Sequence, residues 1–232
     1  MIASTNGDNL ETRTAEEVID LILNERADQR VCFTCSFQAE DIVVLHLLRK
    51  RLPDIPVLFL ETGYHFQQTY EFRDELTRDW NLNLVNVIPK QTVGTQESAF
   101  GILYREDPTK CCQLRKVDPL LQALEPFETW FTGLRREQSV TRKNLKKAEL
   151  HRLPTGKALR KVSPLADWNW GQVWEYTGAH KLKYLPQYDQ GYLSIGCEPC
   201  TAVPEDPNNP RSGRWGGRKQ ECGIHTFSEP TQ

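Results

Sequence analysis

The chain has 232 residues and a formal net charge of −2, and 26% of its residues are charged. This length suits a single α/β domain with a tail, and the longest apolar runs are too short to span a membrane. The N-terminus has no basic stretch followed by an apolar one, so we expect no signal peptide. Seven cysteines without an export signal indicate a reducing cytoplasm, where clustered cysteines bind metal or act in catalysis.

Predicted helices and strands alternate along most of the chain. A capping box formed by Thr14 and Glu17 begins an amphipathic helix that we expect to end near Ala27. The short spacing between strand and helix is typical of βαβ units around a parallel sheet. Strands are predicted at 31–36, 55–62, 82–88 and 128–134, a hairpin around Pro154–Gly156, and further helices at 39–51, 66–80, 109–124 and 170–180.

Beyond residue 190 the periodic pattern gives way to Gly, Pro, Asn and charged residues. We therefore expect a main α/β domain over residues 1–196 and a function-bearing C-terminal arm over residues 197–232, rather than a second domain.

Basic residues are concentrated in one segment. Residues 133–161 contain ten Lys or Arg and only two Glu, although the whole chain is slightly acidic. One basic segment on an acidic protein indicates an anionic ligand at one place rather than a nucleic-acid coat. For the stretch from Arg142 to Lys147 taken alone, a solvated loop is an equal alternative.

Four cysteines form two tight pairs far apart in sequence: Cys111 with Cys112, and Cys197 with Cys200. Adjacent cysteines do not readily form a disulfide, because the ring is strained. A zinc ion needs four sulfurs at roughly 2.3 Å, which adjacent residues reach awkwardly, whereas an iron–sulfur cube offers separate corners. The spacing favours a four-iron cluster and leaves zinc or a structural role open.

Cys32 and Cys35 also have the C-x-x-C spacing of thioredoxin-like redox sites. They lie in a predicted strand, whose alternate side chains face opposite sides of the sheet. We therefore predict that both are buried small hydrophobic residues rather than a redox pair.

Cys222 lies alone in a polar, Gly-rich part of the arm, three residues before His225. Neighbouring basic residues lower a thiol pKa from about 8.5 and so favour a reactive thiol. A surface cysteine without a function is the alternative at this point. Upstream, Arg211 and Arg214 carry planar guanidinium groups that suit phosphate or sulfate oxygens.

Two loops follow predicted strands at the edge where open α/β sheets bind ligands. "SFQAED" (36–41) leads into a helix whose N-terminal amides can face an anion, but it is not a Walker loop. "FLETGYHF" (59–66) ends the next strand at the same edge.

The segments "TCSFQAED", "LETGYHF", "CCQLRKVDPL", "TGLRREQS", "IGCEPCT" and "ECGIHT" occur in this order. Together they make residues 31–226 resemble the assimilatory adenylyl-sulfate reductases of the phosphosulfate reductase family. One departure is Glu61, where the family motif usually has Asp before Thr-Gly.

The resemblance implies an α/β fold with a doubly wound, mostly parallel sheet of the Rossmann-like adenine-nucleotide hydrolase type and a flexible C-terminal arm. It implies a [4Fe-4S] cluster and a nucleophilic cysteine beside a phosphosulfate pocket. The implied cluster ligands are Cys111, Cys112, Cys197 and Cys200, the nucleophile is Cys222, and the substrate-binding residues are Ser36, Gln38, Thr62, Lys116, Arg135, Arg136, Arg211, Arg214 and His225.

The implied activity is the reduction of adenosine 5′-phosphosulfate to sulfite and AMP through an enzyme S-sulfocysteine, by a cytoplasmic oxidoreductase of sulfate assimilation and cysteine biosynthesis. The implied reductant is thioredoxin or glutaredoxin; no nucleic-acid or membrane partner is expected, and a homo-oligomer is compatible with the resemblance.

Three alternatives stay open. Reductases of the 3′-phosphorylated substrate typically lack the paired cluster cysteines. A tRNA-thiolating enzyme of the nucleotide-loop type usually has an S-G-G-x-D-S loop, which is absent where "SFQAED" stands. A non-enzymatic iron–sulfur sensor would not need Cys222.

Overall fold

The computed structural model describes residues 10–25, 29–206 and 209–225. Its centre is a six-stranded sheet in the order β3-β2-β1-β4-β6-β5. All neighbouring strands are parallel except β5 and β6, which form an antiparallel hairpin. The strands are β1 Val31–Thr34, β2 Val57–Leu60, β3 Leu84–Val87, β4 Thr129–Phe131, β5 Ala148–Arg152 and β6 Ala158–Val162.

The strand order reverses between β1 and β4, because β2 and β3 lie on one side of β1 whereas β4, β6 and β5 lie on the other. The predicted doubly wound, mostly parallel sheet and the predicted hairpin are thus confirmed. In such sheets ligands bind at the carboxyl ends of the strands beside the point of reversal.

The helices cover both faces of the sheet. α1, α2, α3 and α8 contribute to a large hydrophobic cluster on one face, whereas α7 packs in a second cluster that contains Trp130 and Leu58. The helices are α1 Ala15–Asn24, α2 Ala39–Arg49, α3 Gln67–Trp80, α4 Val93–Phe100, α5 Leu103–Glu106, α6 Pro108–Cys112, α7 Asp118–Leu124 and α8 Trp170–Ala179.

The predicted capping box at the start of α1 is present. The backbone amide of Glu17 donates to the Thr14 hydroxyl at 3.2 Å, and the Thr14 amide donates to the Glu17 carboxylate at 2.8 Å. These bonds satisfy amides that a helix start leaves unpaired. The predicted end near Ala27 lies outside the described residues.

The predicted helix over residues 109–124 is divided into three parts. α6 ends at Cys112, a π-helical segment spans Gln113–Val117, and α7 begins at Asp118. A π-helical turn inside an α-helix is rare and is often found at functional sites. Helices α4 and α5, which we did not predict, precede this segment.

Within the described ranges, no helix is both long enough and apolar enough to cross a lipid bilayer.

Candidate active site

A cavity of about 390 Å³ opens where the strand order reverses, lined by residues that follow β1 and β4 and by the C-terminal arm. Its wall is rich in cations and contains one half-buried thiol. Of the residues predicted for the site, those that line it are Ser36, Gln38, Lys116, Arg135, Arg211, Arg214, Cys222 and His225.

The loop after β1 has a turn built around Phe37. Phe37 adopts a φ of 61°, a left-handed conformation that costs a non-glycine residue roughly 1–2 kcal/mol. Its buried ring packs edge-on against Phe59, with the ring centroids 5.7 Å apart, which helps to offset this cost. The turn lets both the amide and the hydroxyl of Ser36 donate to the Asp41 carboxylate at 2.6 Å.

Asp41 is buried below this loop, and its carboxyl group is a weaker acid than an exposed aspartate. Burial raises the pKa of Asp41 to about 7, and the charge of Glu40 adds to the effect, whereas the hydrogen bonds from Ser36 oppose it. The chain after β4 passes close by, because a Cβ on Gly133 would lie only 3.1 Å from the Asp41 nitrogen. Glycine at this position therefore permits the approach of the two loops.

Arg135 and Arg136 follow β4 and point in different directions. Arg135 has extended backbone angles, so consecutive side chains face opposite ways. Arg135 lies 2.9 Å from Glu137 and stacks over the Trp170 ring at 5.2 Å, at the wall of the cavity. Arg136 instead donates to the Leu145 carbonyl and pairs with Glu11, and it does not line the cavity.

The four paired cysteines meet around a second, much smaller cavity of about 10 Å³. All four are buried, free thiols, and they come from α6 and from the turn at Glu198–Cys200. Burial raises the pKa of Cys111 to about 12, and the neighbouring Cys112, Cys197 and Cys200 add to the increase. Among the described residues, no three His, Cys, Asp or Glu side chains converge as they would around a single metal ion.

The small cavity lined by the four paired cysteines, here called the thiol chamber, is contacted by the π-helical segment and by the loop after β2. The buried Arg115 donates to the Thr62 carbonyl and, at 3.2 Å, to the Gln96 side chain. Thr62 is buried too, and its hydroxyl lies 3.3 Å from the Cys197 sulfur. Thr62, which we predicted to contact substrate, does not line the large cavity and supports a cysteine instead.

Three side chains form a wall between the two cavities: Lys116, Arg214 and Trp215 line both. Burial would lower the pKa of Lys116, but the sulfurs of Cys197, Cys222 and Cys112 together raise it. Arg214 is buried and lies 4.5 Å over the Trp215 ring. Lys116 therefore interacts electrostatically with sulfurs on both sides of this wall, those of Cys112 and Cys197 on one side and that of Cys222 on the other.

The described part of the arm reaches the sheet near Cys222. His225 stacks on Trp130, with ring centroids 5.5 Å apart and an interplanar angle of 18°. Burial, with the nearby charge of Lys161, lowers the pKa of His225 well below its usual value, so its imidazole is neutral at pH 7. Cys222 itself packs against the cluster formed by Cys112, Cys197, Cys200 and Trp215.

The family profile of the phosphoadenosine phosphosulfate reductase domain matches residues 30–203. Similar relatives include the adenosine 5′-phosphosulfate reductase of Geobacillus thermodenitrificans, 41% identical over 93% of this chain and 91% of the relative. The adenosine 5′-phosphosulfate reductase 2 of Bacillus subtilis is 40% identical over 85% of this chain and 84% of the relative.

The chain belongs to the phosphoadenosine phosphosulfate reductase family.

Solved structures agree with this fold. The phosphoadenylyl-sulfate reductase of Candida auris superposes with a TM-score of 0.74 at 23% identity, covering 87% of this chain and 98% of that one. The U34-tRNA thiolase of Methanococcus maripaludis, whose structure includes its [4Fe-4S] cluster, has a TM-score of 0.53 at 15% identity, covering 73% and 64%. At these identities the likeness concerns the fold alone.

Glu61, the departure from the usual motif of this reductase family, is fully engaged by neighbours. Its carboxylate accepts from the Tyr70 hydroxyl at 2.7 Å and from the Gly63 amide at 2.8 Å, and it pairs with Arg73 at 3.3 Å. Glu61 does not line the large cavity. The longer side chain thus stabilises the loop after β2.

Two further residues of this family member line the cavity but were not predicted for it: Arg142 and Trp170. Arg142 falls in the stretch that a solvated loop would explain equally well. Its side chain is only 10% exposed and pairs with Glu221 at 2.7 Å. The local excess of basic residues was a signal for Arg142, whereas nothing in the sequence singled out Trp170.

Proposed function

We propose that this chain is an adenosine 5′-phosphosulfate reductase that forms sulfite and AMP with thioredoxin, or a related dithiol protein, as reductant. The observation that carries the proposal is the half-buried Cys222 in the wall of a cavity lined by Lys116 and arginines. Relatives with about 40% identity that bear this name support the choice of substrate. The seven free cysteines suit a cytoplasmic location.

We assign nucleotide binding to the main domain, residues 1–196, and delivery of the nucleophile, together with Arg211 and Arg214, to the arm, residues 197–232. In the cavity, Ser36 and Gln38 lie at the end of β1, and the amide of Ala39, which begins α2, donates to Tyr188. The nucleotide would lie at this end, and the sulfate would face Lys116, Arg211, Arg214 and Cys222.

The chemistry of the four paired thiols fits a [4Fe-4S] cluster better than a single zinc ion. Zinc requires four sulfurs at roughly 2.3 Å from one point, which the adjacent Cys111 and Cys112 reach awkwardly, whereas a cube is held by thiolates at separate corners. Cys111, Cys112, Cys197 and Cys200 would hold the cluster. When bound, it would supply a fixed charge distribution beside Lys116 rather than electrons.

In the first half-reaction the Cys222 thiolate attacks the sulfur atom of the substrate. A bond forms between the Cys222 sulfur and the sulfonate, the bond from sulfur to the bridging oxygen breaks, and AMP leaves with that electron pair. The barrier arises because anionic oxygens repel the incoming thiolate. Lys116, Arg211 and Arg214 neutralise these oxygens and the departing phosphate.

In the second half-reaction a thiolate of the reductant attacks the Cys222 sulfur. Sulfite leaves with the electrons of the sulfur–sulfur bond, and a mixed disulfide joins the two proteins. The second thiol of the reductant resolves this disulfide, which returns Cys222 as a thiolate and leaves the reductant as a disulfide. The dithiol thereby supplies the two electrons that reduce sulfate to sulfite.

The test is to purify the protein without air, measure its iron, and assay sulfite from adenosine 5′-phosphosulfate and from its 3′-phosphorylated form with reduced thioredoxin. We expect sulfite from the first substrate and, when thioredoxin is omitted, a sulfonate on Cys222 by mass spectrometry. Cys222→Ser should lose both, while Cys32→Ala, a buried control that lines neither cavity, keeps both. Sulfite formation without any sulfonate at residue 222 would refute the mechanism.

A further inference from the structure

Glu221, which immediately precedes the proposed nucleophile, is held by several donors from the main domain. Its carboxylate accepts from the hydroxyls of Ser139 and Thr141, each at 2.9 Å. Arg142 donates to both carboxylate oxygens, at 2.9 and 2.7 Å, and Arg211 lies 3.7 Å away. The Glu221 side chain is only 10% exposed.

The side chains that donate to Glu221 lie far in sequence from Glu221 and its neighbour Cys222. Ser139, Thr141 and Arg142 belong to the segment after β4, whereas Glu221 lies about 80 residues later on the arm. Beyond Cys222, His225 stacks on Trp130. The arm is therefore attached to the main domain on both sides of Cys222.

These two attachments differ in kind. The stacking of His225 on Trp130 is a contact between uncharged rings. The attachment at Glu221 consists of charge-assisted hydrogen bonds, which are stronger and depend on geometry. Burial by itself would raise the pKa of Glu221, but the hydrogen bonds and charge of Arg142, followed by the charge of Arg211, lower it to about 2. The carboxylate is thus ionised throughout the neutral range.

We propose that Glu221 is a positioning residue that fastens the Cys222 segment over the cavity, so that the thiol is aligned for its attack on the substrate. The proposal rests on the proposed function, because this alignment matters only in the half-reaction in which Cys222 attacks. Arg142 and Arg211 line the cavity and also contact Glu221, so substrate pocket and nucleophile are held by the same cations.

The first test needs no substrate. The complete, iron-loaded protein is treated with iodoacetamide without air, and labelling of residue 222 is followed by mass spectrometry of its peptide. In Glu221→Gln we expect Cys222 to be labelled about tenfold faster, because one charge-assisted interaction is worth that factor or more. Glu205→Gln, on an exposed position of the same arm, is the matched control and should label at the wild-type rate.

A second, milder variant keeps the test valid if Glu221→Gln does not fold. Thr141→Val removes one neutral donor from the main-domain side and leaves the arm sequence intact. We expect about fivefold faster labelling of Cys222, in line with one ordinary hydrogen bond. Equal labelling of wild type, Glu221→Gln and Thr141→Val would overturn the proposal.

The second test separates the half-reactions in single turnovers. We expect Glu221→Gln to form the sulfonate on Cys222 about tenfold more slowly, whereas release of sulfite from the preformed sulfocysteine by reduced thioredoxin is not slowed. A purely structural role would slow both steps alike and would contradict the proposal. If wild type formed no sulfonate but the labelling rates still differed, the proposed function would fail while the attachment at Glu221 stood.

Discussion

Two pairs of cysteines in this molecule have the same C-x-x-C spacing and quite different surroundings. Cys32 is the second residue of β1 and Cys35 directly follows its last residue, and the two pack in different hydrophobic clusters on opposite faces of the sheet. Cys197 and Cys200 lie on a tight turn and line one small chamber together with Cys111 and Cys112.

The difference shows that backbone conformation decides what a cysteine spacing means. In a strand, residues three apart project to opposite sides, so two thiols at that spacing cannot meet. On a turn, the same spacing brings both sulfurs to one side of the chain. Sequence reasoning predicted this outcome for Cys32 and Cys35, and the structure confirms it.

The largest effect on activity should come from a substitution in the pair on the turn, Cys197 and Cys200. Cys200→Ser is expected to lower sulfite production at least 100-fold and to remove most of the iron, because loss of a ligand typically costs a site far more than loss of a supporting contact, at about 10–100-fold. Iron analysis and the sulfite assay on anaerobically purified protein measure both. Full activity in a variant without iron would contradict the assignment of these cysteines.

The second largest effect should come from Asp41, which lies close to Cys35 at the end of β1. Burial raises the pKa of the Cys35 thiol, and the charge of Asp41 raises it further. Since folding raises the Asp41 pKa to about 7, the protonated acid favours the fold. Its stabilising effect is complete below about pH 4 and is lost as the pH rises through about 7. Between pH 5 and pH 8 we expect wild type to lose about 3 kcal/mol relative to Asp41→Asn.

Melting curves of wild type and Asp41→Asn at several pH values measure this difference. A constant offset between the two proteins is expected from the changed hydrogen bonds to Ser36, so the change of the offset with pH is the informative quantity. An offset that does not vary between pH 5 and pH 8 would show that Asp41 is already ionised at the lower pH.

A smaller effect is expected at the residue before Cys197. A Cβ on Gly196 would lie 2.7 Å from the Arg214 guanidinium carbon, and Arg214 is held by the Ser194 hydroxyl and the Cys200 carbonyl. Gly196→Ala should therefore displace Arg214 and lower kcat/KM about tenfold, the effect of one lost charged contact. Gly94→Ala, where a Cβ would have open space, is the control. Equal kcat/KM in both variants would refute this role of Arg214.

The smallest effect on activity should come from a substitution in the other pair, Cys32 and Cys35. Cys32→Ala removes one buried sulfur and is expected to lower the free energy of unfolding by about 1 kcal/mol. Iron content and sulfite production should match the wild type, because Cys32 lines neither cavity. Thermal melting together with iron analysis checks this, and loss of iron would mean that the two pairs are not independent.

Much of the fold could be predicted because local signals and tertiary structure agree. The capping box at Thr14 and Glu17 and the apolar strand segments gave the correct elements. Helix α4 could not be predicted from periodicity, because Gln96 is its buried residue and an apolar stripe is absent. The π-helical segment contains the buried Arg115, whose contacts with Thr62 and Gln96 are distant in sequence and are encoded by no local pattern.

The site was predictable in its chemistry and less so in its orientation. Cysteine spacing predicted that the two pairs act together, and all four cysteines line the small cavity; their role as ligands stays a prediction. Whether Arg135 or Arg136 faces the cavity depends on the extended backbone at Arg135, which the sequence does not specify. Arg142 lines the large cavity and pairs with Glu221. These two residues are about 80 positions apart in sequence, so local patterns could not predict their contact.

The wall shared by the two cavities limits how this protein can be redesigned. Replacing Lys116, Arg214 or Trp215 to admit a different anion would also change the lining of the small cavity around the four paired cysteines, so such variants would alter both cavities together. The loop at Ser36–Asp41 borders the large cavity alone. Engineering of nucleotide preference should therefore begin at that end, where changes leave the four paired cysteines untouched.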